Sequence, residues 1–176
     1  ASALTLPQKM VMNDYYVKDI SRKIRSSIHA KMDTGEYLPS SGSIPYGYMR
    51  DPEHNTFEID PETAPIVLRI FQMRANGVSF NGICRELNLE GIPCPGRLRY
   101  ERGVTRAEKY KDALWIRGTV RKITQDAVYI GCRIHGRVMR SRVDLEKKRR
   151  PEEEWKIIEN AHPALVHKEL FDQVQK

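Results

Sequence analysis

Apolar residues return every four positions between Asn13 and Met32. Tyr16, Ile20, Ile24, Ile28 and Met32 form one slowly drifting stripe, the period of an amphipathic helix. At about 100° per residue, Lys18, Arg22, Arg25 and His29 gather on another face, roughly opposite Ile20. The pattern predicts a helix of about five turns, apolar on one side and basic on the other, stopped by Gly35. Residues 1–12 contain Pro7 and no clear period, and read as a frayed start.

The period then breaks. Leu38-Pro39-Ser40-Ser41-Gly42-Ser43-Ile44-Pro45 has the composition of a linker. Short strands are expected at Tyr46–Arg50 and Thr56–Ile59, with turn chemistry between them at Asp51-Pro52-Glu53-His54-Asn55. A helix should follow, with Asp60 as cap, Pro61 in the first position and Ile66, Val67, Ile70, Phe71 and Met73 on its buried face. Asn76-Gly77 ends it. A second helix starts at once from Ser79, with Phe80, Ile83, Cys84 and Leu87 inward and Gly91 as its stop. Two helices joined so tightly suggest a helix-turn-helix-like pair.

Residues 92–113 read as a long connection, in which Arg97, Arg99, Arg102, Arg106, Lys109 and Lys111 are mixed with Tyr100 and Tyr110. Trp115 to Gln125 predicts a third helix. Trp115, Val120 and Ile123 suit its packed side, leaving Arg117, Thr119, Arg121 and Lys122 to face outward. Strands are expected at Val128–Gly131, Cys132–His135, Val138–Met139 and Trp155–Ile158. Lys147–Arg150 reads as a mobile loop, and His167–Gln175 as a closing helix. The sum is an α+β fold: a long N-terminal helix, a helix-turn-helix-like helical core and a small antiparallel sheet.

Charge changes the picture once it is divided along the chain. The net +7 of the 176 residues conceals a block at 97–150 with 17 basic and 6 acidic groups, net +11. The flanking blocks 51–96 (3 basic, 7 acidic) and 151–176 (3 basic, 6 acidic) are both negative. A polyanion is the natural partner for such a block; a solvated basic loop is the plain alternative. No apolar run approaches a membrane span and no signal peptide opens the sequence. Cys84, Cys94 and Cys132 are odd in number and far apart, which excludes a disulfide framework and a C-x-x-C knuckle and fits a reducing cytoplasm.

Catalytic chemistry does not announce itself. There is no G-x-S-x-G, P-loop or H-E-x-x-H motif. None of His29, His54, His135, His162 and His167 stands at a metal-ligand spacing, and no cofactor is implied. Glu152-Glu153-Glu154 reads as a solvated run, and Asn160-Ala161-His162-Pro163 as a structural turn.

Four stretches, in order, resemble a known family. They are Ser21-Arg22-Lys23-Ile24-Arg25 through Gly35 with Ile44-Pro45-Tyr46-Gly47-Tyr48, then Ile59-Asp60-Pro61-Glu62-Thr63-Ala64 with Val67 and Ile70-Phe71. Next come Gly77-Val78-Ser79, Ile83, Leu87-Asn88, Gly91-Ile92 and Pro95. Last are Trp115, Val120, Ile123, Tyr129-Ile130-Gly131, Asn160-Ala161-His162-Pro163 and Phe171. Together the sequence resembles the recombinase domain of large serine recombinases, the integrases and transposon resolvases of phages and mobile elements. It departs in having Ile44-Pro45 where the family often has Pro-Pro, and Ile116 where Ser or Thr often caps the third helix; Asp112 is the alternative cap.

The resemblance implies a division into 1–37, a long helix leaving a catalytic domain; 38–45, an extended minor-groove linker; and 46–176, a DNA-binding domain. It implies a cytoplasmic, bacterial or phage-encoded parent enzyme that acts as a dimer or tetramer on DNA and cuts by serine attack. This piece would carry the DNA-reading half, with no nucleophilic serine domain, no metal and no membrane partner. The implied partner is double-stranded DNA. Arg117, Thr119, Arg121 and Lys122 would read a major groove, and Ser41, Gly42 and Ser43 would lie in a minor groove. Lys18, Arg22 and Arg25 would meet phosphates, as would Arg97, Arg99, Arg133 and Arg137. The rival readings are a free-standing helix-turn-helix transcriptional regulator and an RNA-binding module.

Overall fold

The computed structural model describes residues 6–34, 36–37, 44–51, 53–54, 56–140 and 147–175. The expected Gly35 stop, the linker residues Ser41, Gly42 and Ser43, and residues 141–146 lie outside that set. Contacts divide the chain after Tyr37 into two units.

The first unit is one helix, α1 (Leu6–Asp33), 28 residues long. It begins before the apolar period does, inside the stretch that reads as a frayed start. Tyr15, Tyr16, Val17, Ile20 and Ile24 are exposed along it. Asp19 pairs with Lys23 at 2.9 Å, one turn apart, and the Arg25 Nε donates to the Ser21 carbonyl at 3.0 Å. The Tyr37 amide turns back to the Lys31 carbonyl at 3.0 Å and closes the end.

The second unit begins with an antiparallel hairpin of β1 (Tyr48–Asp51) and β2 (Thr56–Ile59), in the register Tyr48↔Ile59 to Asp51↔Thr56. Its turn is made by the Asp51 carboxylate, which accepts the Glu53 amide at 2.8 Å and the His54 amide at 3.1 Å. Gly47, just before β1, has φ +95°, and a Cβ there would meet Val67 Cγ2 at 2.9 Å. Only glycine combines that left-handed backbone with so close an approach. Thr63 Oγ1 accepts the Gly47 amide at 3.1 Å, tying the hairpin to the next helix.

That helix, α2 (Ala64–Ala75), starts later than the Asp60-Pro61 signal predicts. Asp60-Pro61-Glu62-Thr63 forms a turn of its own, with the Asp60 carbonyl accepting the Thr63 and Ala64 amides, and Pro65 takes the early helical position. Ser79 caps α3 (Phe80–Leu89) as expected, its Oγ accepting the Gly82 amide at 3.1 Å. The long connection contains a helix of its own, α4 (Pro95–Glu101), and a 3₁₀ turn at Glu108–Tyr110. α5 (Arg117–Gln125) and α6 (Lys168–Gln175) complete the helical part. α2 packs on α3, α5 and α6, and α5 also packs on α3 and α6.

The remaining strands form two further antiparallel pairs: β3 (Arg133–His135) with β6 (Lys156–Ile158), and β4 (Val138–Arg140) with β5 (Lys147–Arg149). The small sheet is therefore three separate two-stranded ribbons among the described residues. Lys147–Arg149, expected as a loop, is a strand. Val128–Ile130, expected as a strand, is instead a 3₁₀ turn at Ala127–Ile130, capped by Asp126 and closed by Gly131 at φ +83°. The fold class is α+β.

Val67, Ile70, Phe71, Ile83, Leu87, Val120 and Val166 are fully buried at the centre. Three tyrosines are buried with their hydroxyls satisfied. Tyr46 donates to Pro93 O at 2.9 Å, Tyr129 to Tyr46 O at 2.9 Å and Tyr48 to Pro163 O at 3.0 Å. Burial pushes the Tyr129 phenol well above its ordinary value, so it stays a neutral donor. No helix among the described residues is long and apolar enough to cross a membrane.

Candidate nucleic-acid interface

The segment before α5 fixes where that helix lies. Trp115 is 2% exposed and meets Tyr46 edge-on, ring centroids 5.3 Å apart. Asn88 of α3 grips its backbone from both sides: Trp115 N donates to Asn88 Oδ1 at 2.8 Å, and Asn88 Nδ2 donates to Trp115 O at 3.1 Å. The indole Nε1 donates to Ile92 O at 2.9 Å. These three bonds set the entry angle. Ile116 occupies the cap position with extended backbone and no side-chain bond, so α5 starts at Arg117, two residues after the expected Trp115.

Val120, Ile123 and Thr124 are buried on one side of α5. At about 100° per residue, the opposite arc runs through Arg121, Gln125, Gly118 and Lys122, with Arg117 at its edge beside Thr124. Arg117, Arg121 and Lys122 are exposed, and Thr119 at the edge is half-buried. No ion pair engages those three cations among the described residues. Gly118 stands between them, and a Cβ built there meets nothing within 4 Å. Charge counting overlooks Gly118 and Gln125, but their place on the arc is fixed once the helix boundaries are known.

A cleft of about 690 Å³ opens beside α5, and Thr119, Lys122, Arg99, Arg102 and Tyr110 are among the residues that line it. α4 contributes Pro95, Gly96, Leu98 and Arg99 to that lining. Arg97 is held by Glu101 at 2.7 Å, one turn away, and exposed Arg99 donates from Nε to Pro95 O at 3.0 Å. Arg102 bonds the buried Asp60 carboxylate at 2.8 Å and also reaches Glu62. Burial pushes the Asp60 carboxyl up, but hydrogen bonds from Arg102, the Glu62 amide and Thr63 outweigh it and hold it below its ordinary value. Arg102 thus pins α4 to the turn before α2.

Arg133 requires a correction. It is 4% exposed, lies over the Phe57 ring at 5.3 Å, and donates to Thr56 Oγ1 at 3.3 Å and Ala161 O at 3.4 Å. A guanidinium so enclosed is part of the core, not a phosphate clamp. Arg137 is half-buried: it bonds Asp126 at the C-terminal end of α5 at 2.9 Å and covers Trp155 at 5.4 Å. It buttresses α5 from behind. The β4–β5 ribbon brings further basic positions together, pairing Met139 with Lys148 and Arg140 with Lys147. Lys18, Arg22 and Arg25 are exposed on α1, in the other unit.

Two of the histidines, His162 and His135, are buried here. His162 Nε2 donates to Val128 O at 2.7 Å between the rings of Tyr48 and Phe57, 5.0 and 5.2 Å away. Burial lowers its pKa, as it does for His135, which keeps both imidazoles neutral near neutral pH. What the arrangement offers is recognition: a firmly held helix with a cationic arc, a glycine at the middle of that arc, and a cleft with a basic rim.

A family model described as Recombinase matches residues 61–176, most of the second unit. No solved structure matches the chain.

Proposed function

The chain belongs to the Recombinase family, and on that premise we propose that it binds double-stranded DNA at an attachment site or element end for a large serine recombinase. The observation that carries this reading is the exposed arc of Arg117, Arg121 and Lys122 on a helix whose other side is locked into the core. Arg117 and Arg121 present forks suited to guanine O6 and N7 in a major groove. Gly118 leaves room for a base edge or sugar to come close to the helix backbone. Lys122, Thr119 and Arg99 serve as phosphate and edge contacts along the cleft, and Arg97 is assigned to a phosphate outside it. Lys18, Arg22 and Arg25 are assigned to phosphates, and Ser41, Gly42 and Ser43 to a minor groove. Arg137 supports α5 through Asp126. No catalytic residue is proposed on this chain.

The test is an equilibrium titration of the full chain at several salt concentrations. Duplexes from the ends of the mobile element are compared with random duplex and single-stranded RNA. The expected result is tighter binding to the ends, with log affinity falling linearly as log salt rises. Equal affinity for ends and random duplex removes the site-specific reading. Tight binding to RNA with none to duplex removes DNA as the partner.

A further inference from the structure

The residues just before α5 alternate strictly. Ala113 is half-buried, Leu114 is 60% exposed, Trp115 is 2% exposed and Ile116 is 62% exposed. This is an extended stretch with period two, and its phase is locked. Asn88 holds both backbone polar groups of Trp115, and the indole is bonded to Ile92. Leu114 and Ile116 cannot turn inward without expelling Trp115 from the core. They are held in solvent by their neighbour, at the cost of leaving two large aliphatic chains wet.

Scattered exposed leucines need no explanation, but these two are not scattered. Both line the cleft beside α5, and so does Val104, which is 44% exposed. The same cleft has Arg99, Lys122 and Thr119 on its walls. An apolar rim set among cations fits a partner that is a polyanion with small apolar groups at fixed places. The major groove of a DNA duplex has that character: phosphates flank it, and the thymine C5-methyl is the one apolar group on its floor. An apolar protein surface would answer Leu114 and Ile116, but not the exposed Lys122 ammonium of the same cleft.

We infer that Leu114 and Ile116 recognise thymine methyl groups next to the bases faced by α5, and so make this chain select T·A pairs there. The inference rests on the duplex-binding reading above and names part of its sequence specificity. Each methyl group buried against an aliphatic side chain is worth about fourfold in affinity.

The experiment separates the two claims. The full chain selects a preferred duplex from a randomised pool, and each thymine of that duplex is then replaced singly by deoxyuridine, which removes only the methyl. The expected result is a loss of about threefold to tenfold at one or two adjoining positions. Leu114→Ser and Ile116→Ser should abolish that loss at the same positions, with the salt slope unchanged. Both sites are exposed, so circular dichroism and urea midpoints should match the parent chain. Failure to select any duplex overturns the DNA-binding reading and this inference with it. A selected duplex that is indifferent to every deoxyuridine replacement overturns this inference alone. So does a thymine preference that survives both serine substitutions, or serine variants that change only self-association.

Discussion

Asn88→Ala is the perturbation that most directly links the fold to the helix proposed to read DNA. Asn88 lies on α3 and carries no charge, yet its amide supplies both bonds to the Trp115 backbone, at 2.8 and 3.1 Å. Alanine removes both and leaves a partly buried N–H and C=O without their partners. Each lost bond costs about 0.5–1.5 kcal/mol, with more where the stranded group stays dry. Together they should lower the unfolding free energy by about 2–3 kcal/mol. At about 2–4 °C per kcal/mol for a chain of this size, Tm should fall by roughly 5–10 °C. Urea unfolding followed by tryptophan fluorescence reports on the affected site, because Trp115 is one of two tryptophans. The neighbouring Leu89 is 81% exposed, so Leu89→Ala is the control and should stay within about 0.5 kcal/mol of the parent. Asn88→Asp keeps the acceptor for Trp115 N–H and loses the donor, and should fall between the two. Duplex affinity, measured where both proteins are folded, should drop for Asn88→Ala and not for Leu89→Ala. An Asn88→Ala variant as stable as the control, or one that binds duplex as well as the parent, would refute the claim that this clamp sets the position of α5.

Three further outcomes follow from the same geometry. His162 and His135 have pKa values lowered by burial, so the unfolded chain binds more protons than the folded one below pH about 6.5. Stability should hold above that pH and fall beneath it, by up to about 1.4 kcal/mol per pH unit for each histidine; urea midpoints at pH 5 and pH 7.5 measure this, and equal midpoints contradict it. The two glycines should respond oppositely. Gly131→Ala forces φ +83° on a residue whose Cβ would lie 2.9 Å from His162 O, and should cost more than about 2 kcal/mol. Gly118→Ala meets open space and should raise stability by up to about 1 kcal/mol while weakening duplex binding; a variant that is both more stable and a better binder argues against close approach at Gly118. Arg133→Ala should lower stability and leave the salt slope of DNA binding unchanged, whereas a reduced slope with unchanged stability would return Arg133 to the interface.

Much of the helical core was legible because its signals are local. Ser79 caps where a serine before an apolar period should, and Val67, Ile70, Phe71, Ile83 and Leu87 are buried as their spacing implies. Trp115 was legible as core, and α6 as a closing helix. What escaped depended on distant partners or on competition between local rules. Val128-Tyr129-Ile130 has the residue types of a strand, but Asp126 capping its amide and the left-handed Gly131 wind it into a 3₁₀ turn. α4 is short and begins at Pro95, a residue that also reads as loop; its place depends on Tyr110 packing over Gly96, where a Cβ would lie 2.9 Å from the ring. Basic charge was the least legible feature. Arg117 and Arg121 look like Arg102, Arg133 and Arg137 in sequence, yet the last three are engaged by Asp60, by Thr56 and Ala161, and by Asp126. A charge count cannot see those partners, so the strongly basic block overstates the cations available to a polyanion.

The central claim is that α5 reads duplex sequence, and one ratio tests it: affinity for element-end duplex over affinity for random duplex, for the parent chain and for Arg117→Glu/Arg121→Glu. Both side chains are exposed, so the variant should fold. The parent ratio should stand well above one, and the variant ratio should collapse to about one, because each good base contact carries about 1–3 kcal/mol of discrimination. A folded variant that keeps the parent ratio would show that the reader lies elsewhere on the chain.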